Sequence, residues 1–285
     1  MTLPPVIAPE VAAAAIAAGA RAVDCRFDVV APGGDTGRGE RDWRAAHLPG
    51  AVYAHLDRDL ADLSVVGRGR HPLPSDHAFA ATLARWGIAP TTPVIAYDDG
   101  SGAMAARLWW LLRLAGHADV AVLDGGIAAW RAAGLPEESA PPPTTPVAHA
   151  VRFDAAAIAD SAEVATLAAD PSRLLLDARA APRYRGEVEP IDPVAGHVPG
   201  ARNRPFSDNL GADGRFKAPS ALRAEFDALL AGRAPRDVVL MCGSGVTACH
   251  NLLAMAHAGL DGARVYAGSW SEWIVDPSRP VARGD

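Results

Sequence analysis

Apolar residues fall along this chain in short runs, each followed by a turn and then by a longer stretch with helical spacing. Residues 94–97 (Val-Ile-Ala-Tyr) predict a buried strand, 103–115 a helix and 120–123 a second strand. The order returns later: 238–241 predicts a strand, 248–258 a helix and 264–266 a strand. Strand–helix–strand alternation predicts an α/β fold, a mostly parallel sheet flanked by helices. Ligands of such sheets bind at the carboxyl ends of the strands, so the segment after Met241 is the first place to look for chemistry.

The pattern is written twice. Arg21-Ala22-Val23-Asp24-Cys25-Arg26 and Leu174-Leu175-Leu176-Asp177-Ala178-Arg179 are both short runs ending in Asp-x-Arg. His47-Leu48-Pro49-Gly50-Ala51 returns 150 residues later as His197-Val198-Pro199-Gly200-Ala201. Leu123-Asp124-Gly125-Gly126 with Trp130 matches Tyr266-Ala267-Gly268-Ser269 with Trp273, 143 residues on. Landmarks recurring in one order at nearly one offset indicate an internal duplication. Between the copies, residues 138–150 are dense in proline, which forbids a helix and favours an extended spacer. The expected organisation is a first domain over 1–137, a linker over 138–150 and a second domain over 151–285.

Composition narrows the class. Of 285 residues, 49% are hydrophobic and 21% charged, which excludes wholesale disorder. The net charge of -6 gives no pull toward nucleic acid or anionic lipid. Three cysteines are too few, and odd in number, for a disulfide framework, so free thiols are expected. The N-terminus carries Pro4, Pro5, Pro9 and Glu10 without a basic opening, unlike a signal peptide, and no apolar run is long enough to span a bilayer. A cytoplasmic protein is expected. Nine histidines are scattered without metal-binding spacing, so neither a metal nor an organic cofactor is implied.

Cys242-Gly243-Ser244-Gly245-Val246-Thr247-Ala248 follows the predicted strand and opens the predicted helix. Glycines at alternate positions let successive backbone N–H groups turn inward, and a helix N-terminus adds partial positive charge. Both favour an anion and are expected to lower the thiol pKa at Cys242. A free cysteine is more often a small buried hydrophobe, and Cys25 and Cys249 read that way. Cys242 sits instead among glycines with Ser244 and Thr247 beside it.

This loop resembles the active-site loop of the rhodanese superfamily, in the form typical of 3-mercaptopyruvate sulfurtransferases. Relatives that prefer thiosulfate usually carry Arg-Lys directly after the cysteine, where this chain has Gly243 and Ser244. His197-Val198-Pro199-Gly200-Ala201, Gly268-Ser269-Trp270-Ser271-Glu272-Trp273 and Arg183-Tyr184-Arg185-Gly186 support the likeness, which covers nearly the whole chain. It implies two tandem rhodanese-like domains of which only the second is catalytic. Aligning the strands places Asp98 opposite Cys242, and an acid cannot carry a transferable sulfur.

The resemblance further implies that Cys242 takes sulfur from a small donor, 3-mercaptopyruvate or thiosulfate, as a persulfide, and passes it to a thiol such as thioredoxin or to cyanide. The amides of Gly243, Gly245, Val246 and Thr247, with that of Ser244, would hold the anionic intermediate. Ser244 would act with His71 and Asp57 to manage the donor's proton. By residue type alone, His71 is a loop residue beside Pro72 with no duty. Arg183 maps to the substrate arginine and Arg107 to an arginine on a helix of the first domain; Arg179 and Arg185 are further candidates. Asp192 stands where many of these enzymes place a second substrate arginine, so half of the expected clamp is missing. His47 and His197 are expected to be structural.

Other readings fit some of the same residues. Gly243-x-Gly245-x-x-Ala248 fits a dinucleotide fingerprint, but Gly268 stands where an acid is wanted and too little chain follows. A phosphatase of the Cys-x5-Arg type would need arginine where Ala248 lies. A non-catalytic sulfur-carrier module is the third alternative.

Overall fold

The computed structural model describes residues 3–29, 34–167, 170 and 172–285. The chain divides into two compact units. The first comprises Met1–Asp62, Leu73–Asp154 and Ala212–Phe216; the second comprises Leu63–Pro72, Ala155–Gly211 and Lys217–Asp285.

The first unit is built on a five-stranded parallel sheet of β1 (Val6–Ile7), β2 (Arg21–Asp24), β3 (Val52–Tyr53), β4 (Val94–Tyr97) and β5 (Val120–Leu123). The spatial order is β1-β5-β4-β2-β3. In the second unit β6 (Ile158–Ala159), β7 (Leu174–Asp177), β8 (Arg202–Asn203), β9 (Val238–Met241) and β10 (Arg264–Tyr266) follow the same order, β6-β10-β9-β7-β8, again all parallel. Identical strand order twice over is the structural form of the duplication.

Strands β4 and β9 are buried at all four positions, because helices cover both faces of a parallel sheet. The first core gathers Ile95, Tyr97, Leu123, Ile127 and Trp130; the second gathers Val239, Met241, Tyr266, Trp270 and Trp273. The helices after the central strands run Ala103–Leu114 and Ala248–His257, each one residue shorter than its expected span.

The Asp-x-Arg pairs turn out to be internal struts. Arg26 grips Asp24 and donates to the Ala46 carbonyl, and Arg179 grips Asp177 and donates to the Gly196 carbonyl. All four side chains are buried, so each ion pair fastens a strand end to the following His-x-Pro-Gly turn. His47 and His197 are buried in those turns, their Nδ1–H groups donating to the carbonyls of Trp43 and Tyr184. The proline-dense segment is extended and is fastened within the first unit: Glu138 bridges His47, Val147 donates to the Ala84 carbonyl and His149 donates to that of Ile88.

Candidate functional site

Cys242 follows β9 directly and lies at the carboxyl end of the central strand of its sheet. The Gly245 N–H points back to its Sγ at 3.1 Å. Gly245 has φ +74°, and any Cβ there would collide with the Ala267 carbonyl, so only glycine closes this turn around the sulfur. The cysteine is 2% exposed.

A second segment braces the loop. The N–H groups of Trp270 and Ser271 donate to the carbonyls of Cys242 and Gly243 at 3.0 and 2.9 Å. The Ser269 hydroxyl accepts the Cys242 N–H at 3.1 Å and donates to the Tyr266 carbonyl at 2.8 Å. Ser269 holds φ +53° although it is not glycine. Its counterpart in the first repeat, Gly126, has the same φ of +53°. Comparison of the two repeats therefore exposes Ser269, which the motif alone left without a role.

His71 and Ser244 are both buried, with His71 Nδ1 and Ser244 Oγ 2.8 Å apart. Segment 63–72 belongs to the same compact unit as Cys242, which is how a histidine from the first half of the sequence meets a serine of the second. The Ser271 hydroxyl fixes this segment by accepting the Arg70 N–H at 2.9 Å.

Arg183 lies on the short helix Ala181–Tyr184. Its Nε and Nη2 grip Glu189, and Nη2 also reaches Asp192 at 3.2 Å. Burial acts to raise the Glu189 carboxyl, but Arg183 and the backbone N–H groups of Asp192 and Ile191 outweigh it and hold the carboxyl below its ordinary range. Burial pushes Asp192 up despite its contacts with Arg70 and Arg183. Glu189, Asp192 and Arg70 were not assigned functional roles from the sequence.

The structure thus brings Cys242, Ser244, His71 and Arg183 together in the second unit, with Gly243, Gly245, Val246 and Thr247 forming the loop itself. Asp57, half-buried on the helix Leu56–Asp59, belongs to the first unit. So does Arg107, which is fully buried, donates to the Leu60 carbonyl and lies over the Trp110 ring. Arg179 is committed to Asp177, and Arg185 pairs with Glu187 at the surface. Cys249 is sealed in the core, donating to the Gly245 carbonyl. Burial, with Asp24 and Asp98 nearby, pushes the Cys25 thiol well up, which keeps it protonated and unreactive.

The first unit keeps the loop but fills it differently. The Asp98 carboxylate accepts N–H groups from Gly100, Gly102, Met104 and Ala105 at 2.9–3.3 Å. One repeat cradles its own carboxylate, while the other turns an amide toward a thiol.

A parallel α/β unit with a cysteine held by a backbone amide at a strand's carboxyl end, a serine–histidine pair and arginines beside it, has the parts of a thiol-based group-transfer site. Comparison with known proteins agrees. The family model of the rhodanese-like domain matches residues 8–133 and again 160–276. A probable 3-mercaptopyruvate sulfurtransferase of Pseudomonas aeruginosa is 51% identical over 265 residues, covering 92% of each chain. A putative thiosulfate sulfurtransferase, SseB of Mycobacterium tuberculosis, is 44% identical over 247 residues, covering 86% of each. The solved structure of 3-mercaptopyruvate sulfurtransferase from Leishmania major superposes with a TM-score of 0.82 at 33% identity, over 97% of this chain and 75% of that one. The chain belongs to the rhodanese-like family, with two copies of the domain, and is a sulfurtransferase. No helix among the described residues is long and apolar enough to cross a membrane.

Proposed function

We propose that the chain moves sulfur from 3-mercaptopyruvate through a persulfide on Cys242 to a thiol acceptor such as thioredoxin, or to cyanide. The Cys242 thiolate attacks the donor sulfur, forming an S–S bond as the donor C–S bond breaks. The electron pair goes to the leaving carbon, and the donor's thiol proton ends there, giving pyruvate. An acceptor thiolate then takes the outer sulfur, the S–S bond breaks, and Cys242 leaves as the thiolate that began the cycle. Splitting one transfer into two displacements is the gain of covalent catalysis.

One observation carries this reading. A sulfur bonded by the Gly245 N–H lies two residues from a serine in hydrogen-bond contact with a buried histidine. The amides of Gly243, Ser244, Gly245, Val246 and Thr247 stabilise the anionic persulfide, and His71 with Ser244 handles the proton. Arg183 serves the anionic donor. The first unit, with Asp98 filling its loop, carries no sulfur. Thiosulfate is the second donor to consider, because the Mycobacterium tuberculosis relative bears that name.

The test is intact-mass analysis after donor treatment. Wild type gains one sulfur and Cys242→Ser gains none. Sulfur on Cys25 or Cys249 instead reassigns the nucleophile. Pyruvate release from mercaptopyruvate is compared with thiocyanate formation from thiosulfate and cyanide; a much faster second reaction overturns the donor assignment.

A further inference from the structure

The expected second substrate arginine is missing from position 192, yet the second unit holds two guanidiniums over the cysteine loop. A Cβ built on Gly243, the residue after the cysteine, would lie 3.1 Å from Arg70 Nη2 and 3.6 Å from Nη1 and Nη2 of Arg183. Two cations brought this close repel, and one carboxylate spans them. Arg70 Nη1 donates to one oxygen of Asp192, and Arg183 Nη2 donates to the other. Glu189 anchors Arg183 on its Nε edge.

The exposures sort these groups into a front and a back. The acids are buried, Asp192 and Glu189 at 4% each, whereas Arg70 and Arg183 remain 21% and 18% exposed. Arg70 Nη2 and Arg183 Nη1 bond to no described residue. Two donor edges are left over, both facing the loop that carries the reacting sulfur. Such paired edges suit a planar carboxylate.

We infer that Asp192 is a positioning residue that bridges Arg70 and Arg183 into a two-guanidinium clamp for the donor's carboxylate. Position 192 then contributes by orienting cations rather than by being one, and the second arginine comes from segment 63–72. The inference rests on the reading that the donor is an α-keto acid attacked by Cys242.

The test separates binding from chemistry. Asp192→Asn offers one oxygen in place of two, and Arg70→Leu removes one edge. Each raises KM for mercaptopyruvate about 10- to 100-fold, the loss of one charge-assisted hydrogen bond to a carboxylate. Each leaves kcat within about threefold, because neither group meets the breaking bond. The double variant is little worse than either single, since both act on one clamp. Arg70→Lys recovers part of the loss. A KM unmoved in either single variant, or a fall in kcat alone, overturns the inference. A second measurement needs no turnover: in the Cys242→Ser background, calorimetric affinity for pyruvate weakens with Asp192→Asn if the clamp is real and is unchanged if it is not. Failure of mercaptopyruvate to sulfurate wild type sinks the donor reading alone, and the pyruvate measurement still decides the clamp.

Discussion

Asp98 offers a direct test of how the two loops differ. Its carboxylate accepts four backbone N–H groups: Oδ1 serves Gly100 and Gly102, and Oδ2 serves Met104 and Ala105. The bonds to Gly102 and Ala105 are fully buried, and the other two are partly open to water. Asp98→Ala leaves two buried donors without an acceptor, at about 1–3 kcal/mol each, so a loss of about 4 kcal/mol is expected. Asp98→Asn keeps Oδ1 but turns an amide N–H2 toward Met104 and Ala105, leaving one fully buried donor unmatched and costing about 2 kcal/mol. Urea unfolding followed by tryptophan fluorescence reads this out. Trp43, Trp86, Trp109, Trp110 and Trp130 all lie in the first unit, which dominates the signal. An Ala variant losing less than about 1 kcal/mol, or an Asn variant as damaged as Ala, would refute the account of Asp98 as an internal anion that satisfies the cradle.

Three further outcomes follow from the geometry. Ser269→Ala removes the acceptor of the Cys242 N–H while keeping the left-handed backbone, so it loses about 1–3 kcal/mol in thermal unfolding, and Ser269→Gly loses less because glycine relaxes φ +53°. Asp177→Asn removes the nearer of the buried Arg179's two counter-charges, leaving Glu189 at 3.5 Å, and costs about 3 kcal/mol by urea denaturation; a loss under about 1 kcal/mol contradicts the strut. Glu189 is held below its ordinary range, so its stabilisation is complete above the unfolded value of about 4.3 and fades as pH falls through the lower folded value. The stability gap between wild type and Glu189→Gln therefore narrows on acidification below about pH 4.3, and a gap that widens contradicts the sign.

The central strands were legible because each is a compact apolar run bounded by turns: Val94–Tyr97, Val120–Leu123, Val238–Met241 and Arg264–Tyr266 match their expected spans. The two-residue strands were not. Arg202–Asn203 is polar throughout and is a strand only because β7 pairs with it, a preference that local sequence does not contain. The site divides along the same line. Cys242 and its glycines announce themselves because seven consecutive residues build the loop. Arg70 and Asp192 are 122 positions apart, so an acid where an arginine was expected reads as a deletion until the fold supplies its partner. The repeat did contain one further signal: Gly126 and Ser269 occupy matching places, and a serine where the copy keeps glycine marks a position that tolerates strain.

That exchange bears on how the two loops are held. In both repeats the residue opening the loop gives its carbonyl to a backbone N–H of the following turn, Ile127 to Asp98 and Trp270 to Cys242, at 2.9 and 3.0 Å. The acceptor geometry is shared, so it does not distinguish the copies. What differs is the side chain at each end. Asp98 fills its cradle with its own carboxyl group, which takes four N–H groups and leaves no room for a ligand's. Cys242 offers a smaller group that takes the Gly245 N–H where Asp98 takes four, a lighter restraint on its own loop. Ser269 restores that restraint from outside by accepting the Cys242 N–H, at the cost of a left-handed backbone that Gly126 adopts freely. The second repeat thus holds its cysteine's backbone through a neighbour's hydroxyl as well as through the loop's own amide.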